Sequence, residues 1–178
     1  PAILISFAPI WLFSKLLDYL KKQSPSKFKF IKKIIVCSSS SIITKRYAFN
    51  EFDQSLVNKL TKSEKKLLDS SHSYKISTTI LRPSMIYGEI GNLKDKNISR
   101  ILTLLRLLPV IFIPERTGLR QPIHINQLAM VVLSYVMRFD EKDLNSINNE
   151  SILVGGDTTV SYKELIDLLQ NSLKNNDN

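Results

Sequence analysis

Cysteine and glycine are scarce in this sequence, and a long hydrophobic run is absent. Cys37 is the only cysteine, which excludes an internal disulfide and a cysteine-based metal cluster. Five glycines are a low count for an α/β domain. The longest apolar stretch, residues 2–13, contains Pro9 and is too short to span a bilayer. Because positive charge follows this stretch, a signal peptide is not expected, and we predict a cytoplasmic protein without a membrane partner.

The composition is that of an ordinary globular domain with a basic surface. The chain has 178 residues, of which 43% are hydrophobic and 23% charged, enough to bury a sizeable core. A net charge of +9 would suit a nucleic-acid partner, since lysines neutralise phosphates. The lysines are scattered, however, and no recognition motif accompanies them. We therefore expect a solvated lysine-rich surface and no nucleic-acid partner.

The chain is organised around residues 34–44, where a β-branched run gives way to four serines. Such a run predicts a fully buried parallel strand, and ligands of open α/β sheets bind where such strands end. The serines would then offer hydroxyls and backbone N–H groups to a ligand. The alternative is a plain strand followed by a serine-rich turn. Cys37, inside the strand, is interpreted as a small apolar filler and not as a nucleophile.

Strands and helices alternate along the chain. This order is typical of right-handed βαβ units, and it predicts an α/β fold with a parallel sheet. Asn126 is the expected N-cap of its helix, and Ser161 with Glu164 fits a capping box. The predicted strands are residues 2–8, 34–37, 78–86 and 151–154; the predicted helices are 10–22, 53–70, 97–108, 126–137 and 161–173; residues 23–29 and 140–150 are predicted connections, 109–114 a short apolar segment and 174–178 a frayed tail.

Several short stretches occur in an order that is informative: Ile5-Ser6-Phe7-Ala8, Cys37-Ser38-Ser39-Ser40, Thr79-Ile80-Leu81-Arg82-Pro83 with Tyr87-Gly88, Gly118-Leu119-Arg120, and Ile123-His124-Ile125 with Leu128-Ala129. Together they resemble a known family, the extended short-chain dehydrogenase/reductases, also called NAD-dependent epimerase/dehydratases. No single stretch is specific, but all of them occur in the family's order and cover almost the whole chain.

The resemblance implies a Rossmann-type domain that binds NAD or NADP, with a smaller region for a phosphorylated substrate such as a nucleotide sugar. The family's Gly-x-x-Gly-x-x-Gly turn, which holds the cofactor pyrophosphate, does not occur in this sequence. The chain also begins at Pro1 and enters a strand at once. We therefore expect a C-terminal fragment, with residues 1–90 as half of the cofactor domain and 91–178 as the substrate region, of which 122–155 partly return to the sheet.

The resemblance also assigns roles to individual side chains. The family uses a Ser or Thr, a Tyr and a Lys, in which Lys⁺ lowers the pKa of the phenol that carries the proton. Ser40 is the best candidate for the hydroxyl, with Ser39 next, and Lys62 for the lysine, which leaves Asn58 at the Tyr position. The implied cofactor-binding residues are Phe7, Ala8, Pro9, Ser38, Ser39, Lys62, Pro83 and Ser84; the implied substrate-binding residues are Ser40, Asn97 and Arg120.

Each of these roles has a structural alternative. Asn58 and Lys62 share the polar face of their helix, which for an amphipathic helix means solvent. Arg120 could be a surface arginine, and Asn97 could cap a helix. His124, inside an apolar alternation, is expected to be structural, and Gln127 occupies the position where the family has an acidic residue. No metal site is predicted.

Two functions follow from the resemblance. The first is an NAD(P)-dependent epimerase/dehydratase or reductase that acts on a small-molecule substrate. A homodimer is compatible with this function. The second is a non-catalytic NAD(P)H-binding scaffold, sensor or assembly factor of the same fold. The Ser run and Arg120 favour the enzyme, whereas the Asn at the Tyr position favours the scaffold, because asparagine cannot titrate.

Overall fold

The computed structural model describes residues 2–108, 112, 118–139 and 147–176. Within these ranges the chain forms seven helices and eight strands. The helices are α1 (Ile10–Gln23), α2 (Pro25–Phe28), α3 (Ser41–Thr44), α4 (Glu51–Ser73), α5 (Ile98–Leu107), α6 (Ile125–Met137) and α7 (Tyr162–Asn176). The strands are β1 (Ala2–Ser6), β2 (Ile31–Cys37), β3 (Ser77–Pro83), β4 (Ile86–Tyr87), β5 (Glu89–Ile90), β6 (Leu93–Lys94), β7 (Ile123–His124) and β8 (Asn149–Val154).

Four strands form one parallel sheet in the order β1-β2-β3-β8, which confirms the predicted α/β class. In β2, the side chains of Ile34, Ile35 and Val36 are almost inaccessible to solvent. Since successive side chains of a strand point to opposite faces, β2 is covered on both sides. This double burial explains the continuous apolar run that the sequence displays there.

Helices α1 and α4 pack against each other and share one core cluster with the sheet. Phe13 and Leu17 of α1 meet Leu60 and Leu67 of α4 above Ile34. The lysines of both helices lie on the outer side, as the hydrophobic periodicity predicts, whereas four polar residues are buried: Ser14, Ser63, Glu64 and Ser71. The core therefore fixes which side of each helix faces the sheet.

The chain divides into two compact units. The first comprises Pro1–Pro83 and Met130–Val154, and it holds the four-stranded sheet. The second comprises Ser84–Ala129 and Gly155–Asn178, where β4 pairs with β7 and α5 contacts α7. The domain bounds expected from the sequence stay a prediction.

Several local predictions are wrong. The expected loop at 23–29 contains α2, because Pro25 suits a first helical turn and Phe28 is buried edge-to-face against the Tyr74 ring at 5.0 Å. The expected strand 78–86 ends at Pro83, and Ile86–Tyr87 is a separate strand. The predicted tail is also too long, since α7 continues to Asn176.

Two predictions about helix starts have opposite outcomes. The capping box is confirmed, since the Glu164 N–H donates to Ser161 Oγ at 3.1 Å and the Ser161 N–H donates to Glu164 Oε2 at 2.6 Å. Asn126 is not a cap, because α6 already begins at Ile125. The expected apolar segment 109–114 lies outside the described residues except for Phe112, and so do residues 140–146 of the expected linker.

A buried ion pair joins α4 to β3. The Arg82 Nε–H lies 3.1 and 3.2 Å from the two carboxylate oxygens of Glu64, and Arg82 Nη2 donates to Glu64 Oε2 as well. The Glu64 side chain is almost fully buried and that of Arg82 mostly so. Bidentate pairing of this kind compensates the cost of desolvating both charges.

We predict that Glu64→Gln lowers the free energy of unfolding by about 3–5 kcal/mol, because it leaves the Arg82 charge buried without its partner. Urea titration followed by circular dichroism measures the change. Lys66→Gln, on the same helix as Glu64, is the matched control. It removes the exposed ion pair between Lys66 and Asp18 and should cost less than about 1 kcal/mol of unfolding free energy. Equal losses in the two variants would contradict the structural role assigned to the buried pair.

Candidate functional site

In the first unit, the carboxyl ends of neighbouring strands lie at one edge of the sheet, and six of the predicted cofactor-binding residues stand there: Phe7, Ala8, Pro9, Ser38, Ser39 and Pro83. Cys37 of β2 pairs with Leu81 of β3, and Ser6 of β1 pairs with Val36 of β2. The residues that follow each strand therefore lie at the same edge. Phe7, Ala8 and Pro9 follow β1 there and are exposed.

The serines after β2 continue its pairing with β3. The Ser38 N–H donates to the Leu81 carbonyl at 2.7 Å, and the Ser40 N–H donates to the Pro83 carbonyl at 3.0 Å. These bonds fix the backbone of residues 38–41, which we call the serine row, up to the start of α3. The serine side chains are accordingly positioned by backbone hydrogen bonds and do not lie in a flexible loop.

The hydroxyls of Ser38, Ser39 and Ser40 differ in their hydrogen-bond partners. Ser39 Oγ accepts the Ser41 N–H at 3.2 Å and donates to Ser41 Oγ at 3.1 Å, so it supports the start of α3. Ser38 Oγ is buried and has no hydrogen-bond partner. Ser40 is half-buried, and its hydroxyl makes no cap bond to α3. Ser38 and Ser40 thus have hydrogen-bonding capacity that the described part of the chain leaves unused.

Cys37 is buried beside this row, as predicted for an apolar filler. Burial raises the pKa of its thiol to about 11, because a thiolate would lose its hydration there. A thiol with such a pKa is protonated at neutral pH and reacts slowly.

Lys62 and Asn58 lie on the exposed face of α4. Lys62 is two residues from both Leu60 and Glu64, which places it about 200° around the helix from these buried side chains. The positions four and eight residues before Glu64 are Leu60 and Leu56, and both pack against the core. The catalytic role of Lys62 stays a prediction.

Of the predicted substrate-binding residues, Ser40 belongs to the first unit, whereas Asn97 and Arg120 belong to the second. Arg120 is half-buried; its backbone pairs with Val160, and its Nη1 donates to the Leu119 carbonyl at 3.1 Å. Ser84 donates its hydroxyl to the Gln121 carbonyl, so this hydroxyl is already engaged. Asn97 is exposed and lines a cleft of about 320 Å³ together with Ile86, Gly88, Ile90, Asp95, Lys96 and Ile125.

Asp95, which sequence reasoning missed, caps α5 in place of Asn97. Asp95 Oδ1 accepts the backbone N–H groups of Asn97 and Ile98 at 2.8 and 2.6 Å, and Oδ2 accepts the Ser99 hydroxyl at 3.0 Å. Burial favours a raised pKa for Asp95, but the hydrogen bonds outweigh it and hold the pKa below its usual range. Asn97 makes no side-chain cap bond, so the capping interpretation of this residue is wrong.

His124 has the structural partners that its apolar setting predicted. Its Nδ1 accepts the Asn126 N–H at 3.2 Å, and its ring packs edge-to-face on Tyr87 at 5.2 Å. The Gln127 side chain accepts the backbone N–H of His124 at 3.0 Å and donates to the Asp157 carboxylate at 2.7 Å. Gly88 has a φ of +120°, and a Cβ there would lie 2.8 Å from His124 Nε2, so the close approach of the ring requires glycine.

The Glu64–Arg82 pair was also missed, although a signal for it exists. Glu64 interrupts the apolar face of α4 four residues after Leu60 and three before Leu67, and a charge in such a place requires a buried partner.

In the described ranges, no cluster of three His, Cys, Asp or Glu side chains could hold a metal ion. No helix of the described ranges has both the length and the hydropathy needed to cross a membrane.

Comparison with known proteins shows a likeness of fold. No protein-family model and no curated protein matches the sequence. Among solved structures, the chain is similar to UDP-glucose 4-epimerase from Thermotoga maritima, crystallised with UDP-glucose, with a TM-score of 0.64 and 14% identity over 96% of this chain and 60% of that chain. UDP-glucuronic acid 4-epimerase from Bacillus cereus, in complex with UDP-glucuronic acid and NAD, gives a TM-score of 0.63 and 21% identity over 91% and 50%.

A UDP-galactose 4-epimerase is similar with a TM-score of 0.65 and 12% identity over 89% of this chain and 52% of that chain. The chain thus spans about half to three-fifths of the length of these epimerases. The likeness confirms the predicted Rossmann-type α/β fold with a parallel sheet.

We predict opposite effects for two adjacent serines. Ser38→Ala should leave the free energy of unfolding unchanged or raise it by up to about 1 kcal/mol, because it removes a buried unpaired hydroxyl. Ser39→Ala should lower it by about 1 kcal/mol, because the Ser41 N–H loses its acceptor. Urea denaturation measures both, and a larger loss for Ser38→Ala than for Ser39→Ala would contradict the assignment of partners.

We also predict that the Cys37 thiol of the folded chain reacts slowly with a disulfide reagent at pH 8 and quickly in urea. Since its folded pKa of about 11 exceeds the unfolded value of about 8.5, its contribution to stability is present below pH 8.5 and is lost as the pH rises through 11. Cys37→Ala should lack this part of the alkaline fall in stability. Rapid labelling of the folded chain would contradict the burial.

Proposed function

We propose that the chain is part of an NAD(P)-dependent epimerase/dehydratase or reductase that acts on a nucleotide sugar or a similar phosphorylated polar molecule. The observation that carries the proposal is the serine row, where Ser38 and Ser40 have unused hydroxyls at the carboxyl edge of a parallel sheet. The fold is one that NAD-bound UDP-sugar epimerases share.

The described residues fit the nicotinamide half of the cofactor better than its pyrophosphate half. A buried hydroxyl without a partner among the described residues, Ser38 Oγ, suits a polar ligand at this edge, where Phe7, Ala8 and Pro9 are exposed. Ser39 and Pro83 would border the ligand through their backbones, whereas Ser84 belongs to the second unit and its hydroxyl is engaged. When bound, the cofactor supplies a hydride acceptor or donor.

We propose that polypeptide outside these residues holds the pyrophosphate. The glycines of the sequence, Gly88, Gly91, Gly118, Gly155 and Gly156, do not have the spacing of a phosphate-binding turn. The part of the similar epimerases that this chain does not span is long enough to contain one. In this proposal residues 1–90 complete a cofactor domain.

Ser40 is proposed to hold the reacting oxygen of the substrate by donating its hydroxyl hydrogen. In the second unit, the remaining guanidinium donors of Arg120 are proposed to bind a substrate phosphate, for which a planar fork is suited. Asn97, free of capping, contributes an amide at its cleft. Because Lys62 lies on the exposed face of α4, we propose that it binds the cofactor by extending its long side chain. No proton carrier is assigned.

The alternative, a non-catalytic NAD(P)H-binding protein, is favoured by the orientation of α4. Leu56 and Leu60, which α4 packs against the core before Glu64, cannot exchange protons, and the hydroxyl of the buried Ser63 is engaged by the Lys59 carbonyl at 2.7 Å. Lys62 and Asn58 lie on the outer face. This arrangement suits cofactor binding without catalysis.

We predict that Ser40→Ala lowers kcat on the best nucleotide sugar by about 100-fold or more, while the Kd for NADH changes less than about three-fold, because a group that orients the substrate acts in the reaction. The assay follows sugar interconversion by chromatography, with the full-length protein and a panel of UDP-sugars. Thr44→Ala is the control, since its exposed hydroxyl bonds only the Ser40 carbonyl.

Three outcomes decide between the two functions. Turnover that is lost in Ser40→Ala but kept in Thr44→Ala supports the enzyme. Tight NADH binding without turnover on any sugar supports the non-catalytic protein. Turnover that Ser40→Ala leaves unchanged rejects the role of Ser40.

A further inference from the structure

Three large aromatic side chains around the start of α4 have almost no protein contacts. Tyr47, Phe49 and Phe52 are 83%, 99% and 78% exposed, respectively. We call these three residues the aromatic tip. An exposed aromatic group costs free energy in water, and a cluster of such groups marks a contact with another surface.

The backbone that carries the aromatic tip is braced by hydrogen bonds. Gln54 Nε2 donates to the Ala48 carbonyl at 3.1 Å, and Asn50 Oδ1 accepts the Asp53 N–H at 2.8 Å. Lys45 Nζ lies 2.6 Å from Asp53 Oδ1. These contacts hold residues 45–54 in place while the rings point outward, so the exposure is built into the fold.

The positive charge of the protein is concentrated in the part that carries this tip. Residues 1–83 contain 15 Lys and Arg against 5 Asp and Glu, whereas residues 84–178 contain 10 against 11. The net charges are therefore +10 and −1. The Arg46 guanidinium lies 5.6 Å from the centre of the Tyr47 ring, whereas Lys59, further along α4, holds its ammonium 4.2 Å from the centre of the Trp11 ring.

We propose that the aromatic tip docks this protein on the surface of an anionic lipid bilayer, which replaces the sequence-based expectation of no membrane partner. Aromatic rings are favoured at the boundary between headgroups and acyl chains, and nearby cations are attracted to anionic headgroups. The adjoining Ile43 is also exposed, and an aliphatic side chain gains from acyl chains but not from stacking on nucleobases. The charge excess and the apolar tip together therefore fit a bilayer better than a nucleic acid. This inference does not depend on the proposed enzymatic function.

The test is co-sedimentation of the full-length protein with phosphatidylcholine vesicles, with and without about one quarter phosphatidylserine. We expect binding only to the anionic vesicles, weakened strongly at high salt. Phe49→Ala should bind about ten-fold more weakly, because one inserted ring is lost. Phe112→Ala is the matched control: Phe112 is 94% exposed in the part of the chain without excess positive charge, and its loss should leave binding unchanged.

Several results would overturn the proposal. These are absence of binding to anionic vesicles, equal binding of Phe49→Ala and the unsubstituted chain, and equal weakening by Phe112→Ala. A dimer in sedimentation velocity that Phe49→Ala dissociates would assign the tip to a second copy instead. Tip-dependent, salt-sensitive binding to DNA would assign it to nucleic acid. Phe49 makes almost no contacts, so circular dichroism should report an intact fold in every variant.

Discussion

The double burial of β2 is the constraint on which the first unit depends. The buried part of β2, residues 34–37, carries only apolar side chains, and polar side chains stand on either side of it in the sequence. In this chain the change occurs between Cys37 and Ser38, at the edge where the neighbouring parallel strands also end. The same burial that makes Cys37 inert leaves the next hydroxyl, Ser38 Oγ, without a partner. Core packing and a candidate ligand site are thus two consequences of one strand.

The Glu64–Arg82 pair adds a second constraint, because it fixes the rotation of α4 about the helix axis. A hydrophobic face about 100° wide lets a helix turn somewhat about its axis, but a bidentate ion pair does not. Glu64 is fixed to β3, and the positions of Leu60 and Lys62 relative to the sheet follow from the helical repeat. The pair therefore decides which α4 side chains can approach the serine row. It places Leu60 inward and Lys62 outward.

Much of the first unit could be predicted from the sequence because its signals are local, and the same holds for the capping box of α7. The apolar run of β2, the periodicity of α1 and α4, and the Ser161–Glu164 pair each involve residues that are close together in the chain. The features that were missed depend on distant partners or on competition between neighbours. Arg82 is 18 residues from Glu64, and Asp95 and Asn97 are both good caps whose choice depends on the local backbone. Sequence reasoning had no means to rank them.

The orientation of α4 also changes how the resemblance in sequence should be interpreted. Counting residues from the serine row selects Lys62 as the catalytic lysine, but such counting assumes that the connection before the helix has the family's length. The buried ion pair provides a register that is independent of that connection, and it directs Leu56 and Leu60 toward the core. Two leucines cannot form a proton relay on this helix. A proton carrier for the proposed enzyme therefore has to lie outside these two positions, and Ser38 and Ser40 are the serines of the row whose hydroxyls the described residues leave unused.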